Sequence, residues 1–208
     1  YLSGCENLIA AVSGTKDFHS VNASAFFLVI YSDIRNDETK TVLNKPLRDL
    51  AKRVNHGATY VMGENVLVET MGWSYLDNTK VLLKLPANFG YKDIAGYLLG
   101  VFHKTYKELK STYYPSVVNE VKVTHKLTSP MVWTRYCFGE PNEKTNKHIY
   151  NAYIAHKSQS LNAERLNKAF ISLFYSHMIH PEKSKHIRIF GQIHDSIPFQ
   201  FRVGHEYL

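Results

Sequence analysis

Cysteine is scarce in this 208-residue sequence: only Cys5 and Cys137 occur, and they form no Cys-x-x-Cys pair. That excludes a disulfide framework and a cysteine zinc site, and it fits a reducing compartment. Long apolar runs are missing too. The longest, ASAFFLVIY, is far below the roughly 20 residues a membrane helix needs, and no basic, apolar and small-residue succession opens the chain. The expectation is a soluble, cytoplasmic protein with no membrane partner. Internal repeats, low-complexity tracts and Pro/Gly linkers are absent, so nothing marks off independently folding domains. Acidic residues are in deficit, 18 against 25 Lys and Arg, which gives a formal charge of +7 and points to an anionic partner. The 44% apolar fraction is that of an ordinary globular chain. Because the sequence starts at Tyr1 without an initiator Met and stops at Leu208 inside a patterned segment, it is expected to be a piece of a longer protein.

Periodicity gives a mixed α and β domain. A helix is predicted over residues 17–31, opened near Asp17 and followed by the polar loop SDIRNDETKT. A second runs over residues 46–62 with Pro46 in its first turn, where a missing N–H costs nothing. Residues 64–90 give no clear pattern. Another helix is predicted over 91–109, with one more after Pro115. From Ser158, Leu166, Ala169, Phe170, Leu173 and Phe174 recur at helical spacing as an apolar stripe that ends near HPEKSK. Beyond it Ile187, Ile189, Gly191 and Ile193 alternate, and so do Ile197, Phe199, Phe201 and Val203, which predicts a β-hairpin with His194, Asp195 and Ser196 at its turn. Pro198 places the start of the second strand there, or makes that strand an edge.

The string RDLAKRVNHGATY carries the most chemistry. At about 100° per residue, Leu47, Leu50, Ala51, Val54, Ala58 and Val61 share one face, while Arg48, Lys52, His56 and Tyr60 lie opposite. The second face begins with two cations suited to phosphates and ends with two rings able to stack on a base or sugar. Gly57, in the helix interior at a cost of about 1 kcal/mol relative to Ala, implies a close approach to the backbone. On spacing alone the same face also reads as a solvated helix surface.

As a whole the string resembles the fingers helix of family A DNA polymerases, the bacterial polymerase I type: Arg, three residues, Lys, three residues, an aromatic, three residues, Tyr-Gly. The resemblance implies that Arg48 and Lys52 hold the triphosphate of the incoming nucleotide, that His56 meets its sugar and base, and that Tyr60 closes against the templating pair. His56 stands where the family has Phe or Tyr and Val61 where it has Gly, which leaves sugar discrimination open. The opening YLSGCENL, with DFHSVNA after a spacer, resembles the family segments LSGDENL and DIHTxTA, which adds His19 to the phosphate contacts. KSQSLNAERLNKAF resembles VQGTAADLMKLAM and assigns to Gln159 a minor-groove contact at the primer end, where one amide donor can test pair geometry without reading sequence. Ala155 stands where the family has Asn. TSPMVWTRY resembles the family's Thr- and Arg-rich strand, which implies Arg135 as a template or primer phosphate contact. GQIHDSIPFQF resembles the palm motif VHDE, so Asp195 would ligate the catalytic magnesium ions and His194 would lie near the primer terminus; Ser196 replaces the family Glu.

These motifs occur in family order and span nearly the whole chain. They imply an α+β fold truncated at both ends: residues 1–41 as a palm segment, 42–115 as helical fingers, and 116–208 as palm with the catalytic hairpin. The implied reaction is nucleotidyl transfer from a dNTP to a primer 3′-hydroxyl with two Mg2+ ions, in viral or bacterial replication, with primer-template DNA and dNTPs as partners and bacterial or phage-infected cytoplasm as the place. The family's other metal-binding carboxylate lies in a DYSQIELR motif expected just upstream of Tyr1, because Asp17 reads as a helix cap and Asp33 as a loop residue. The isolated fragment is therefore expected to be inactive. Two rivals stand beside this: a basic nucleic-acid-binding module without catalysis, and a His-Asp metal phosphohydrolase drawing on the 11 histidines. His177, His180 and His186 read as a solvated helix end.

Overall fold

A computed structural model describes residues 4–180, 182, 185–193 and 196–204. In chain order the elements are α1 (Glu6–Ser13), α2 (Phe18–Phe27), α3 (Tyr31–Ile34), β1 (Arg35–Asn36), β2 (Thr41–Val42), α4 (Lys45–Thr59), α5 (Glu64–Met71), α6 (Trp73–Leu82) and α7 (Tyr91–Thr105). A π-helical turn (Leu109–Tyr113) follows, then α8 (Tyr114–Thr124), β3 (Lys126–Thr128), β4 (Thr134–Tyr136), α9 (Lys147–Ile179), β5 (Ile187–Ile189) and β6 (Phe199–Phe201). The three sheets among the described residues are all two-stranded antiparallel ribbons, and the mixed helix and strand content expected from the sequence is found, with helix predominating. Among the described residues no helix is long and apolar enough to cross a membrane.

The chain divides into two compact units. The first takes Tyr1–His125 and Phe138–Ala155, the second Lys126–Cys137 and His156–Leu208. The first is built around α4, which packs on α2, α5 and α7. Its predicted apolar face is the buried one: Leu50, Ala51, Val54 and Ala58 are inside, together with Phe26, Leu67, Ile94, Leu98 and Phe102. Burying each large side chain of this set contributes about 1.5–3 kcal/mol, so α4 is held by tertiary packing more than by propensity. Two tyrosines at the π-helical turn add polar fixings. The Tyr113 hydroxyl donates to the Ile154 carbonyl at 3.2 Å, and the Tyr114 hydroxyl to the Ala58 carbonyl at 3.1 Å, which satisfies an acceptor in the last turn of α4.

Several boundaries differ from the sequence expectation. The helix opened by Asp17 ends at Phe27, where Leu28 takes a left-handed conformation, and Asp33 sits in the short α3 instead of a loop. The helix predicted to 109 stops at Thr105. Residues 64–90 contain α5 and α6, whose eight and ten residues are too short for a period to stand out. The last helix begins at Lys147, not Ser158, so Gln159 sits in mid-helix and not at an N-terminus. The apolar stripe expected along it is largely open, with Leu173 42% and Phe174 44% exposed, while Glu164 is only 3% exposed. Periodicity identifies which face of a helix is apolar and says nothing of what covers it. The second unit does contain the expected hairpin: Ile187 pairs with Phe201 and Ile189 with Phe199, and Phe190 N–H donates to the Pro198 carbonyl just before β6.

A half-buried histidine makes the first unit sensitive to acid. The Nδ1 of His103 is enclosed with no hydrogen-bond partner among the described residues, and the ring lies edge-on to Tyr114 at 6.3 Å. Burial, with the Lys110 charge behind it, pushes the His103 pKa down to about 4. The unfolded chain then binds the extra proton first, so stability is complete above the ordinary value near 6.5 and falls as pH drops toward 4. The loss attributable to this ring is about 2 kcal/mol once its partial solvent contact is allowed for. Urea unfolding at pH 7 and pH 4.5 tests this: His103→Leu is expected to lose less stability than the wild type between the two, and equal losses would clear His103.

Candidate functional site

The cationic face of α4 is fixed from its first turn. Asn44 caps the helix by accepting the Leu47 N–H at 3.3 Å, and Pro46 follows within the first turn. Arg48, one turn on, is half-buried and pairs side-on with Asp17: Nε reaches Oδ1 and Nη2 reaches Oδ2, both at 2.9 Å. Asp17 is the predicted cap of α2, accepting the Ser20 N–H at 2.9 Å and the Ser20 hydroxyl at 2.7 Å. Burial acts to raise the Asp17 pKa, but the hydrogen bonds from Arg48 and Ser20 outweigh it and hold the carboxyl well below the usual range. Side-on pairing uses Nε–H and one Nη2 proton, leaving the outer edge of the guanidinium available to a second anion.

Lys52 and His56 are exposed on the next two turns, and with Tyr60 they line a cleft of about 500 Å³ whose other walls include Arg53 and Met62. Arg53 is structural. Its Nη1 donates to the Thr70 carbonyl at 2.8 Å, at the end of α5, and its guanidinium lies 5.6 Å from the centre of the Tyr75 ring. The close approach expected at Gly57 comes from within the chain: an added Cβ would fall 2.7 Å from Met62 Sδ and 3.3 Å from Met62 Cβ. Tyr60 lies just past the helix, as its C-cap, with N–H bonds to the His56 and Gly57 carbonyls. Val61, where the resembling family has Gly, has φ +58°. A β-branched residue in the left-handed region costs about 1–2 kcal/mol, a constraint that the family glycine would remove. Burial of Val61 to 8% exposure and a 3.2 Å bond from Asn151 Nδ2 to its carbonyl hold it there.

His19, in the first turn of α2, faces the same side. Its Nδ1 lies 3.0 Å from Asn55 Nδ2, and its ring centre lies 6.1 Å from that of His56. Burial lowers its pKa, the Arg48 charge adds to this, Asp17 opposes, and His56 and Lys52 act with Arg48. Arg48, Lys52, His56, Tyr60 and His19 therefore gather on one side of α4, an arrangement able to take a multiply charged anion with a stacking group attached.

The remaining predicted residues belong to the second unit. Gln159 is exposed on α9, and Arg135 is exposed on β4 opposite Leu127. His194 and Asp195 lie outside the described residues; their neighbours Ile193 and Ser196 bridge antiparallel, with both N–H···O bonds at 2.9 Å. Among the described residues no three His, Cys, Asp or Glu side chains converge as a metal-binding group.

Sequence reasoning missed the Asp17–Arg48 pair and a buried polar row joining His19 through Asn55 and Asn22 to Tyr106. A signal for part of it was present: Asn55 lies between Ala51 and Ala58 at helical spacing, on the side that packs.

No protein-family model matches the chain, and no curated protein matches it in sequence. Among solved structures it is similar to the polymerase domain of Pol1 from M. smegmatis, in complex with DNA primer-template and dNTP, with a TM-score of 0.68 and 19% identity. The match covers 98% of this chain and 31% of that one, so the chain spans about a third of the neighbour's length. What the two share is a polymerase-like fold.

Proposed function

We propose that this chain is the fingers and most of the palm of a template-directed DNA polymerase of the family A type. The observation that carries the proposal is the α4 face, where Arg48, Lys52, His56 and Tyr60 stand in family order with His19 beside them, in a chain of polymerase-like fold. In this reading residues 42–115 are fingers, and residues 1–41 and 116–208 are palm. Arg48, Lys52 and His19 bind the triphosphate, His56 meets the sugar and base, and Tyr60 closes on the nascent pair. Gln159, His194 and Arg135 contact primer-template DNA. Asp195 would hold two Mg2+ ions together with a second carboxylate, and the ions would supply activation of the 3′-hydroxyl and neutralisation of the leaving pyrophosphate. The process is DNA replication, bacterial or viral.

The basic-module reading rests on a different surface. Lys185, Arg188 and Arg202 surround a cleft of about 300 Å³ at the base of the β5–β6 hairpin. The two readings part on nucleotide dependence. Fluorescence anisotropy of a labelled primer-template titrated with the chain is expected to show salt-sensitive binding that tightens at least severalfold with the next correct dNTP and not with the three others. Equal affinity with and without the correct dNTP would discard the polymerase assignment in favour of a phosphate-binding module.

A further inference from the structure

Behind the cationic face of α4 runs a row of hydrogen bonds that crosses three segments of the chain. The Tyr106 hydroxyl donates to Asn22 Oδ1 at 2.7 Å, Asn22 Nδ2 donates to Asn55 Oδ1 at 2.8 Å, and Asn55 Nδ2 lies 3.0 Å from His19 Nδ1. Tyr106, Asn22 and Asn55 are each 2% exposed, so water does not interrupt the row. Each amide has one acceptor and one donor engaged, so reversing one forces the others to reverse. Only two orientations are self-consistent, and they differ at both ends.

In the first orientation the Tyr106 proton is used, and an amide N–H meets His19 Nδ1. In the reverse one Asn22 would donate to the Tyr106 oxygen, and the phenolic proton would lose the Asn22 oxygen it is bonded to. A buried donor left unpaired costs about 1–3 kcal/mol, enough to decide between two otherwise equal arrangements. Burial also pushes the Tyr106 hydroxyl above its ordinary pKa, so it keeps the proton that sets the direction.

We propose that Tyr106, Asn22 and Asn55 are positioning residues that fix neutral His19 as the Nε2–H tautomer, so that His19 acts as a hydrogen-bond donor to a triphosphate held by Arg48 and Lys52. The ligand in this statement rests on the polymerase reading; the relay itself does not. Nδ1 accepts from Asn55 and carries no proton, so the ring proton sits on Nε2 and faces a ligand as a donor instead of a lone pair. With the opposite tautomer, Nε2 would turn a lone pair toward phosphate oxygens and repel them. A hydroxyl on α7's C-cap, touching no ligand, thus sets the chemistry of a ring on α2.

The test uses the 208-residue chain and long-range ¹H–¹⁵N correlation spectra of its histidine rings, with His19→Gln identifying the His19 signals. The wild type is expected to show the Nε2–H pattern for His19. Tyr106→Phe, which deletes one oxygen and keeps the packed ring, removes the directional bias, so His19 is expected to shift toward Nδ1–H or to an average of the two. If the donor form is then populated only a tenth to a third of the time, inorganic triphosphate affinity falls about three- to tenfold by the same fraction. A wild-type ring already in the Nδ1–H form, or an unchanged tautomer in Tyr106→Phe, overturns the relay, and the first of these needs no variant. A tautomer shift without loss of affinity, in a chain where Arg48→Ala does weaken triphosphate binding, overturns the role of His19 alone. Failure of the wild type to bind triphosphate at all overturns the ligand named here and the polymerase reading with it, while the tautomer still decides the relay.

Discussion

Arg48→Ala is expected to weaken inorganic triphosphate binding by the chain roughly 10- to 100-fold and to lower its stability at neutral pH by about 1–2 kcal/mol. The binding loss follows from removing a charge-assisted donor pair worth about 1.5–3 kcal/mol, each 1.4 kcal/mol being tenfold. The stability loss follows from leaving the half-buried Asp17 carboxylate without its 2.9 Å partners, though Ser20 still donates to it through both its N–H and its hydroxyl. Arg48→Lys should recover little, because the side-on geometry needs the Nε and Nη2 protons together and an ammonium cannot supply that fork. The acid limb carries a separate signature. Asp17 is held below its ordinary pKa, so the stability it contributes is present above the normal carboxylate value and is lost as pH falls below about 4. Urea titrations at pH 7 and pH 3 should therefore show a smaller drop for Arg48→Ala than for the wild type. An alanine variant that binds triphosphate like the wild type would remove this face of α4 from the proposed nucleotide site.

Asp195→Ala is expected to have the largest effect of any substitution. In an intact polymerase carrying this segment, primer extension should fall by at least about 10³-fold, while the primer-template dissociation constant changes no more than about threefold. Under the proposed reading the carboxylate acts through metal ions, whose stabilisation of transition-state charge is worth several kcal/mol, and each 1.36 kcal/mol is tenfold in rate. Under that reading the carboxylate serves the metal ions and not the DNA, and removing a negative charge near phosphates does not oppose association. The hairpin suits that task, since β5 and β6 present Ile187, Ile189, Phe199 and Phe201 in register and pair again at Ile193 and Ser196, the described neighbours of His194 and Asp195 in sequence. Single-turnover extension together with an anisotropy titration separates the two quantities. Near-normal turnover in the variant would take Asp195 out of the proposed metal site.

Local features were legible in the sequence. The α4 helix followed from apolar spacing and from Pro46, whose fixed backbone suits a first turn. The β5–β6 hairpin followed from strict alternation, and Asp17 from its place ahead of an apolar run. Each depends on residues a few positions apart, where backbone geometry alone dictates which side chains are neighbours. The start of α9 escaped because residues 147–157 lack a continuous apolar stripe, although Tyr153 and Ile154 are buried there.

The finer part of the candidate site lies beyond that range. Asp17 and Arg48 are 31 residues apart and Asn22 and Tyr106 are 84 apart, and only the packing of α2 and α7 against α4 brings these groups within 3 Å. Val61 shows the same limit: the sequence marks it as a departure from a glycine pattern, but the left-handed backbone behind that pattern appears only when the chain turns off α4. By itself, then, the sequence determined α4, the closing hairpin, the order of chemistry along α4 and the positions worth testing. Tertiary structure decided which of those side chains are charged, paired or oriented as donors, because ion pairing, burial and amide direction are set by neighbours that the chain supplies from afar.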